Sequence, residues 1–239
     1  MEQSVLNNVD YALMGNADAL DVFRAKGYRG PAKILPQFGV STDIFTPPVR
    51  EEGGKRPIIL GCTSRRLVPE KGLDLLLNAV SRLKNIDWRL KLTGDGQERA
   101  NLEQQARDLG IADRVQFDGS ISSLEMPNYL RGLDILVLPS RTMSNWKEQF
   151  GRVLIESMAC EVICVGSDSG EIPNVIGDAG LIFPEDDLDG LTQHLVTLCE
   201  QPALRAELRK KGRAHVLANY TQAQIANKTV DVYREMMAA

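Results

Sequence analysis

A chain of 239 residues with 28 basic and 32 acidic side chains, a formal net charge of −4, 43 % hydrophobic and 25 % charged residues has a globular composition. At roughly 100 to 200 residues per domain, this length holds one large domain, or one domain and part of another. Mild acidity and scattered charge exclude nucleic acid as the main partner, and no apolar run approaches the roughly 18 residues of a membrane span.

The start, MEQSVLNNVD, lacks the basic-then-apolar pattern of a signal peptide, so the chain reads as cytoplasmic. Its first 48 residues offer a short strand (Val9 to Leu13), a helix (Ala17 to Lys26) and another strand (Ala32 to Leu35), too little for an independent core. The stretch FTPPVREEGGKRP (45–57) has the prolines, glycines and charges of an exposed connector. From Pro57 onward, strands expected at 57–63, 88–94, 114–119, 134–140, 161–166 and 180–183 alternate with helical stretches. Leu73, Leu76, Leu77, Val80 and Leu83 form one apolar stripe for a crossover helix. Two helices follow the last strand, from Leu188 to Cys199 and on past Pro202, with Asp186 and Asp187 as helix-start residues. A final helix spans Thr221 to Met237, with Thr221 as its cap and Ile225, Val232, Tyr233 and Met236 as its apolar stripe. The pattern predicts an α/β fold: a Rossmann-like parallel sheet with helices on both faces. Cys62, Cys160, Cys164 and Cys199 contain no CxxC pair and read as reduced, mostly buried side chains, while His194 and His215 fall in helices as surface or packing residues.

In an open parallel sheet, ligands bind beyond the carboxyl ends of the strands. After the first strand, SRRLVPEKG (64–72) places Arg66 and Lys71 five residues apart across a loop and the start of a helix. Two cations there suit a diphosphate, Arg as a planar fork and Lys as a point charge, although alone the pair reads equally as solvated surface charge. After the fourth strand, RTMSNWK (141–147) leads into EQFGRVLIESMAC (148–160), where a helix begins near Gly151. Amides at Gly151, Arg152 and Val153 can then face a phosphate, with Glu148 above the helix start and Glu156 one to two turns down, each able to accept from hydroxyls. Singly, Glu148 is also a plausible capping carboxylate and Glu156 an exposed helix residue.

These residues resemble the retaining GT-B glycosyltransferases of family 4, the group 1 glycosyltransferases. RRLVPEKG (65–72) is similar to the family's Gly-Arg-Leu then Lys-Gly pattern, and EQFGRVLIE (148–156) to its Glu-x7-Glu motif. LTGDG (92–96), VQFDGSIS (115–122), LPS (138–140) and SGEIPNVI (169–176) are softer matches, and PQFGVSTDIF (36–45) resembles the close of the family's N-terminal domain. The resemblance implies the C-terminal domain of a GT-B fold, divided as 1–48, the end of an N-terminal acceptor domain; 49–56, an interdomain linker; 57–218, the nucleotide-sugar-binding domain; and 219–239, a helix returning toward the N-terminal domain. It further implies that Arg66 and Lys71 bind the donor diphosphate with no divalent metal or other cofactor required, and that Glu156 accepts from the ribose. Glu148 would accept from the transferred hexose, while Ser120 and Ile121 hold the base and Phe150, Gly151, Arg152 and Val153 complete the nucleotide-sugar site. Arg66, Lys71 and Glu148 would carry the catalysis.

The expected partners are a UDP- or GDP-sugar, the missing N-terminal domain or a partner chain, and a glycan or lipid-linked acceptor at the cytoplasmic membrane face, with no nucleic acid. Without the acceptor domain, the isolated chain is expected to bind nucleotide and be inactive in transfer. The alternatives are a non-catalytic, partner-dependent nucleotide-sugar-binding subunit and, further off, an enzyme resembling the nucleotide-sugar 2-epimerases. Arg65 stands where the family usually has glycine, which predicts crowding near the phosphates, and Glu161 and Ile163 replace a usual glycine and proline, which predicts a cost in stability. Trp146 reads as the anchor of its loop, the alternative being a place in the lining of the sugar pocket.

Overall fold

The computed structural model describes residues 5, 6, 8–49 and 56–238 of the chain. Near the N-terminus, β1 (Ala12–Met14) and β2 (Ala32–Ile34) pair in parallel and flank α1 (Ala17–Ala25), whose cap Asn16 accepts from the Ala19 amide. Leu6, Ala12, Met14 and Tyr28 form a small separate core there. The connector expected over 49–56 lies almost entirely outside the described residues.

The remainder forms a six-stranded sheet, every neighbouring pair parallel, with strands β3 (Ile58–Arg66), β4 (Trp88–Asp95), β5 (Val115–Gly119), β6 (Ile135–Leu138), β7 (Ile163–Ser167) and β8 (Leu181–Phe183) in the order β5-β4-β3-β6-β7-β8. Each expected strand is present, with ends displaced by at most three residues. The first runs on through Arg66, so this arginine ends a strand rather than sitting in a loop.

Side chains alternate across the sheet, as a period of two requires. Ile135 and Val137 of β6 enter one core, while Leu136 and Leu138 enter the other. The first core is closed by α2 (Leu73–Ser81), α3 (Arg99–Asp108) and α7 (Leu188–Glu200). The second is closed by α4 (Met126–Arg131), α5 (Arg152–Ala159), α6 (Ile172–Ile176) and α8 (Pro202–Asn219). Both faces are therefore buried, which is why the central strands read as nearly continuous apolar runs. The last helix, α9 (Gln222–Ala238), starts with the Gln224 amide bonded to Thr221 Oγ1, as its sequence predicts. At α7 the start is divided: Asp187 caps it through the Gly190 amide, whereas Asp186 turns to Arg141. No helix among the described residues is long and apolar enough to cross a membrane.

The charged groups of α8 are used within the fold. Arg209 reaches Asp134, Lys211 reaches Asp178 and Arg213 donates to the Ala159 carbonyl. Asp134, only 3 % exposed at the start of β6, also takes two hydrogen bonds from Arg56 (2.7 and 2.8 Å) and one from the Ile59 amide (3.0 Å). Burial opposes its ionisation, but the Arg56 and Ile59 hydrogen bonds and the charges of Arg56 and Arg209 outweigh this and hold its carboxyl below the ordinary range.

Two stability predictions follow from this packing. Replacing Asp134 with Ala removes the buried carboxylate that Arg56, Arg209 and the Ile59 amide share and costs about 3 kcal/mol, a fall of roughly 6 to 12 °C in Tm by calorimetry. Because the folded pKa is depressed, the stabilisation from Asp134 is present above the ordinary carboxylate pKa and is lost as pH falls through the folded value, so the wild-type advantage shrinks in acid. Glu161 adopts φ 55° just beyond α5, a left-handed backbone that costs a residue with a Cβ about 1 kcal/mol. Glu161→Gly is expected to raise Tm by about 2 to 4 °C, and Glu161→Val to lower it.

Candidate functional site

The chain leaves the middle of the sheet in two directions, from β3 outward to β5 and from β6 outward to β8, so the loops after β3 and β6 diverge. A crevice opens at such a switch point, beyond the carboxyl ends of the strands. Here a cavity of about 1180 Å³ lies above β3. One side is lined by Thr63 to Arg66, Ser120, Ile121, Arg152, Val153 and Glu156; the other by Gly39, Val40, Ser41, Ile44, Phe45 and Gln222. The second wall is tied to the start of α9, since Val40 donates to the Tyr220 carbonyl (2.8 Å) and accepts from the Gln222 amide (3.2 Å).

The predicted site residues fall into two groups. Arg66, Ser120, Ile121, Arg152, Val153 and Glu156 line the cavity; Lys71, Glu148, Phe150 and Gly151 do not. Arg66 ends β3, is exposed, and has no side-chain hydrogen bond or ion pair among the described residues. Ser120 and Ile121 follow β5 and present a short polar edge. Gly151, at φ 74°, starts α5, and the first amides of that helix, at Arg152 and Val153, lack intrahelical acceptors and carry the positive end of its dipole. Phe150 is buried behind them between Phe38 and Tyr220, at 5.6 and 5.9 Å between ring centroids.

Glu156 is not an exposed helix residue: it is 7 % exposed, and its Oε1 accepts from Arg152 Nε at 2.7 Å. Burial pushes its carboxyl up, and the charge and hydrogen bond of Arg152 offset this only in part. A carboxylate kept against a desolvation cost, in the wall of a cleft, is a candidate functional group.

Lys71 and Glu148 meet each other. Lys71 closes a 3₁₀ turn (Pro69–Lys71) and its Nζ lies 2.9 Å from Glu148 Oε2, with side chains only 20 % and 15 % exposed. The approach depends on Gly72, at φ 63°, where a methyl group would fall 1.9 Å from the Pro139 carbonyl oxygen. Glu148 is held from behind by SGEIPNVI: the Glu171 amide donates to its carbonyl (3.0 Å), and a methyl on Gly170 would lie 2.1 Å from that oxygen.

Three features escaped sequence reasoning. Arg141 clamps the loop after β6 through two hydrogen bonds to Asp74 (2.6 and 2.9 Å) and one to Asp186, and its amide donates to Glu70. Trp146 does more than anchor its loop, since its ring lies 4.3 Å from Lys71 Nζ. Arg65 keeps its backbone outside the left-handed region, so the conformational freedom of glycine is not required there, and it lines the cavity. The four thiols are free, and burial pushes Cys62 up to about 12 and Cys160 and Cys199 up to about 11, which makes them poor nucleophiles. His194 and His215 bond the Ile182 and Val175 carbonyls, as helix-packing residues.

A family model described as glycosyl transferases group 1 matches residues 47–215. The chain is 33 % identical over 207 residues to a GDP-mannose-dependent alpha-(1-6)-phosphatidylinositol monomannoside mannosyltransferase of Mycolicibacterium smegmatis, with 80 % of this chain and 54 % of that enzyme covered. It thus spans about half the length of this relative. Among solved structures, it superposes on the C-terminal domain of a group 1 family glycosyl transferase, LpcC of Francisella tularensis (TM-score 0.66, 26 % identity, 77 % of this chain and all of that one covered). It also superposes on Anabaena HepE in complex with UDP (TM-score 0.83, 19 % identity, 98 % and 68 % covered), a likeness of fold. The α/β architecture is that of GT-B glycosyltransferases.

Because the folded pKa of Glu156 is raised, its ionised form costs stability at neutral pH, and that cost disappears as pH falls below the ordinary carboxylate range. Glu156→Gln is expected to be more stable than the wild type at pH 7, with the difference in Tm closing in acid.

Proposed function

The chain belongs to the glycosyl transferases group 1 family, and from that premise we propose that it is the donor-binding half of a retaining, family 4 hexosyltransferase that uses a UDP- or GDP-sugar. The observation that carries the reading is the convergence, on one wall of one cleft, of the unpaired Arg66, the first turn of α5 and the buried Glu156. An anion and a hydroxyl-bearing ring side by side match that wall. Arg66 and the amides of Arg152 and Val153 take the diphosphate, with Lys71 beside them; Glu156 accepts from the ribose, and main-chain groups at Ser120 and Ile121 hold the base. Glu148 accepts from the hydroxyls of the transferred sugar. As the sugar–phosphate bond breaks, charge grows on the leaving diphosphate, and fixed cations and amide dipoles in a partly desolvated cleft stabilise it without reorganising.

In this reading residues 57–218 are the donor domain, 49–56 the linker, 1–48 the end of the acceptor domain and 219–239 a helix returning toward it. The share of the mycolicibacterial relative that is matched supports this division. So does the apolar surface on both segments: Leu13, Val22 and Ile34 on one, Tyr233 and Met237 on the other, are exposed. The two segments meet where Tyr11 and Lys33 bond Glu235. Transfer needs donor and acceptor enclosed together, so the acceptor wall comes from a further domain or a partner chain, and the acceptor is a glycan or lipid carrier at the cytoplasmic membrane face. The same exposed apolar surface favours, as a second reading, a non-catalytic nucleotide-sugar-binding subunit.

Calorimetry with UDP and GDP tests the site. Binding is expected for the wild type with one of them, and a loss of roughly tenfold or more in both Arg66→Ala and Glu156→Ala, the scale of one charged hydrogen bond. Unchanged affinity in both variants overturns the assignment. Transfer that appears only when the acceptor domain is supplied separates the enzyme from the binding subunit.

A further inference from the structure

We propose that Trp146 is a positioning residue for Lys71: its indole face, together with the Glu148 carboxylate, holds the ammonium ready for the donor diphosphate. This rests on the donor-site reading above.

Lys71 Nζ is shared between two groups, the Glu148 carboxylate at 2.9 Å and the Trp146 ring at 4.3 Å from its centroid. A carboxylate offers about four acceptor sites, so Glu148 can keep the lysine on Oε2 and still accept from hydroxyls, while the indole face confines the same ammonium from a second side. The aromatic face attracts a cation without carrying charge of its own, so it fixes the ammonium without neutralising it for an incoming phosphate. A flexible lysine stem otherwise loses rotamer entropy on being fixed, and an ammonium already held loses less.

The loop is held by contacts other than the indole as well. Met143 and Trp146 pair through both backbone amides (2.7 and 3.3 Å), Arg141 is clamped to Asp74 and Asp186, and the Thr142 amide bonds Glu185. The loop is thus fixed by main-chain and charged contacts on its own account. What the side chain of Trp146 adds is its face toward Lys71.

Trp88 is fully buried and is the only other tryptophan, so a ligand-free test is available in tryptophan fluorescence. Lys71→Met is expected to change the emission of the wild type and to leave that of Trp146→Phe unchanged; an unaltered wild-type emission overturns the contact. The functional test is a double-mutant cycle, with UDP and GDP affinities measured by calorimetry and, for weak variants, by fluorescence at millimolar nucleotide. Trp146→Leu is expected to weaken binding about three- to tenfold, the range of a partly desolvated cation–π contact. Trp146→Phe recovers most of the loss, and Trp146→Leu adds no further loss in a Lys71→Met background. An equal loss in both backgrounds marks a merely structural role and overturns the proposal, as does wild-type affinity in Trp146→Leu. If the wild type binds neither nucleotide, the donor-site reading falls and takes this one with it; if it binds and the cycle shows no coupling, only this one falls.

Discussion

One backbone contact brings the two halves of the site together. The turn after β3 passes so close to the exit of β6 that Gly72 rests against the Pro139 carbonyl, in a space where no β-carbon fits. Sheet pairing between Leu60 and Ile135 and between Gly61 and Leu136 sets the strands side by side. Gly72 then lets the turn lean across, and Lys71, the residue before it, reaches Glu148 on the far loop. A side chain at position 72 would push these loops apart and separate two charges that lie nearly eighty residues apart in the chain.

The same region shows how charge is distributed between stability and chemistry. At the amino end of the sheet, Asp134 is surrounded by cations and its ionisation stabilises the fold. At the carboxyl end, Glu156 is buried with one exposed arginine for a partner and its ionised form is disfavoured. A buried carboxylate with so little charge compensation is a candidate functional group. The two ends of one sheet thus have opposite electrostatic characters.

Much of the fold was legible because burial on both faces writes itself into sequence as apolar runs separated by helical periodicity. Val162 to Val165 and Ile135 to Leu138 read as strands for that reason, and Leu73 to Val80 as a crossover helix. Pairings between distant residues were not legible. Arg141 looks like any surface arginine until Asp74 and Asp186 are seen around it. SGEIPNVI matched a family pattern without revealing that Gly170 and Glu171 brace the main chain of Glu148. Glycine at position 65 is dispensable because the backbone there stays outside the left-handed region, whereas Glu161 does occupy it.

The sequence by itself determined the alternation of strand and helix, the parallel sheet and the identity of the charged residues beyond its strands, because local propensity and burial act within a few residues. Only the tertiary structure decided which of those residues share a cleft, that Lys71 rests between Glu148 and Trp146, and that Glu156 is buried against its own ionisation. Those outcomes depend on distances across strands and loops far apart in the chain, and they are set by how closely backbones approach and how much water is excluded.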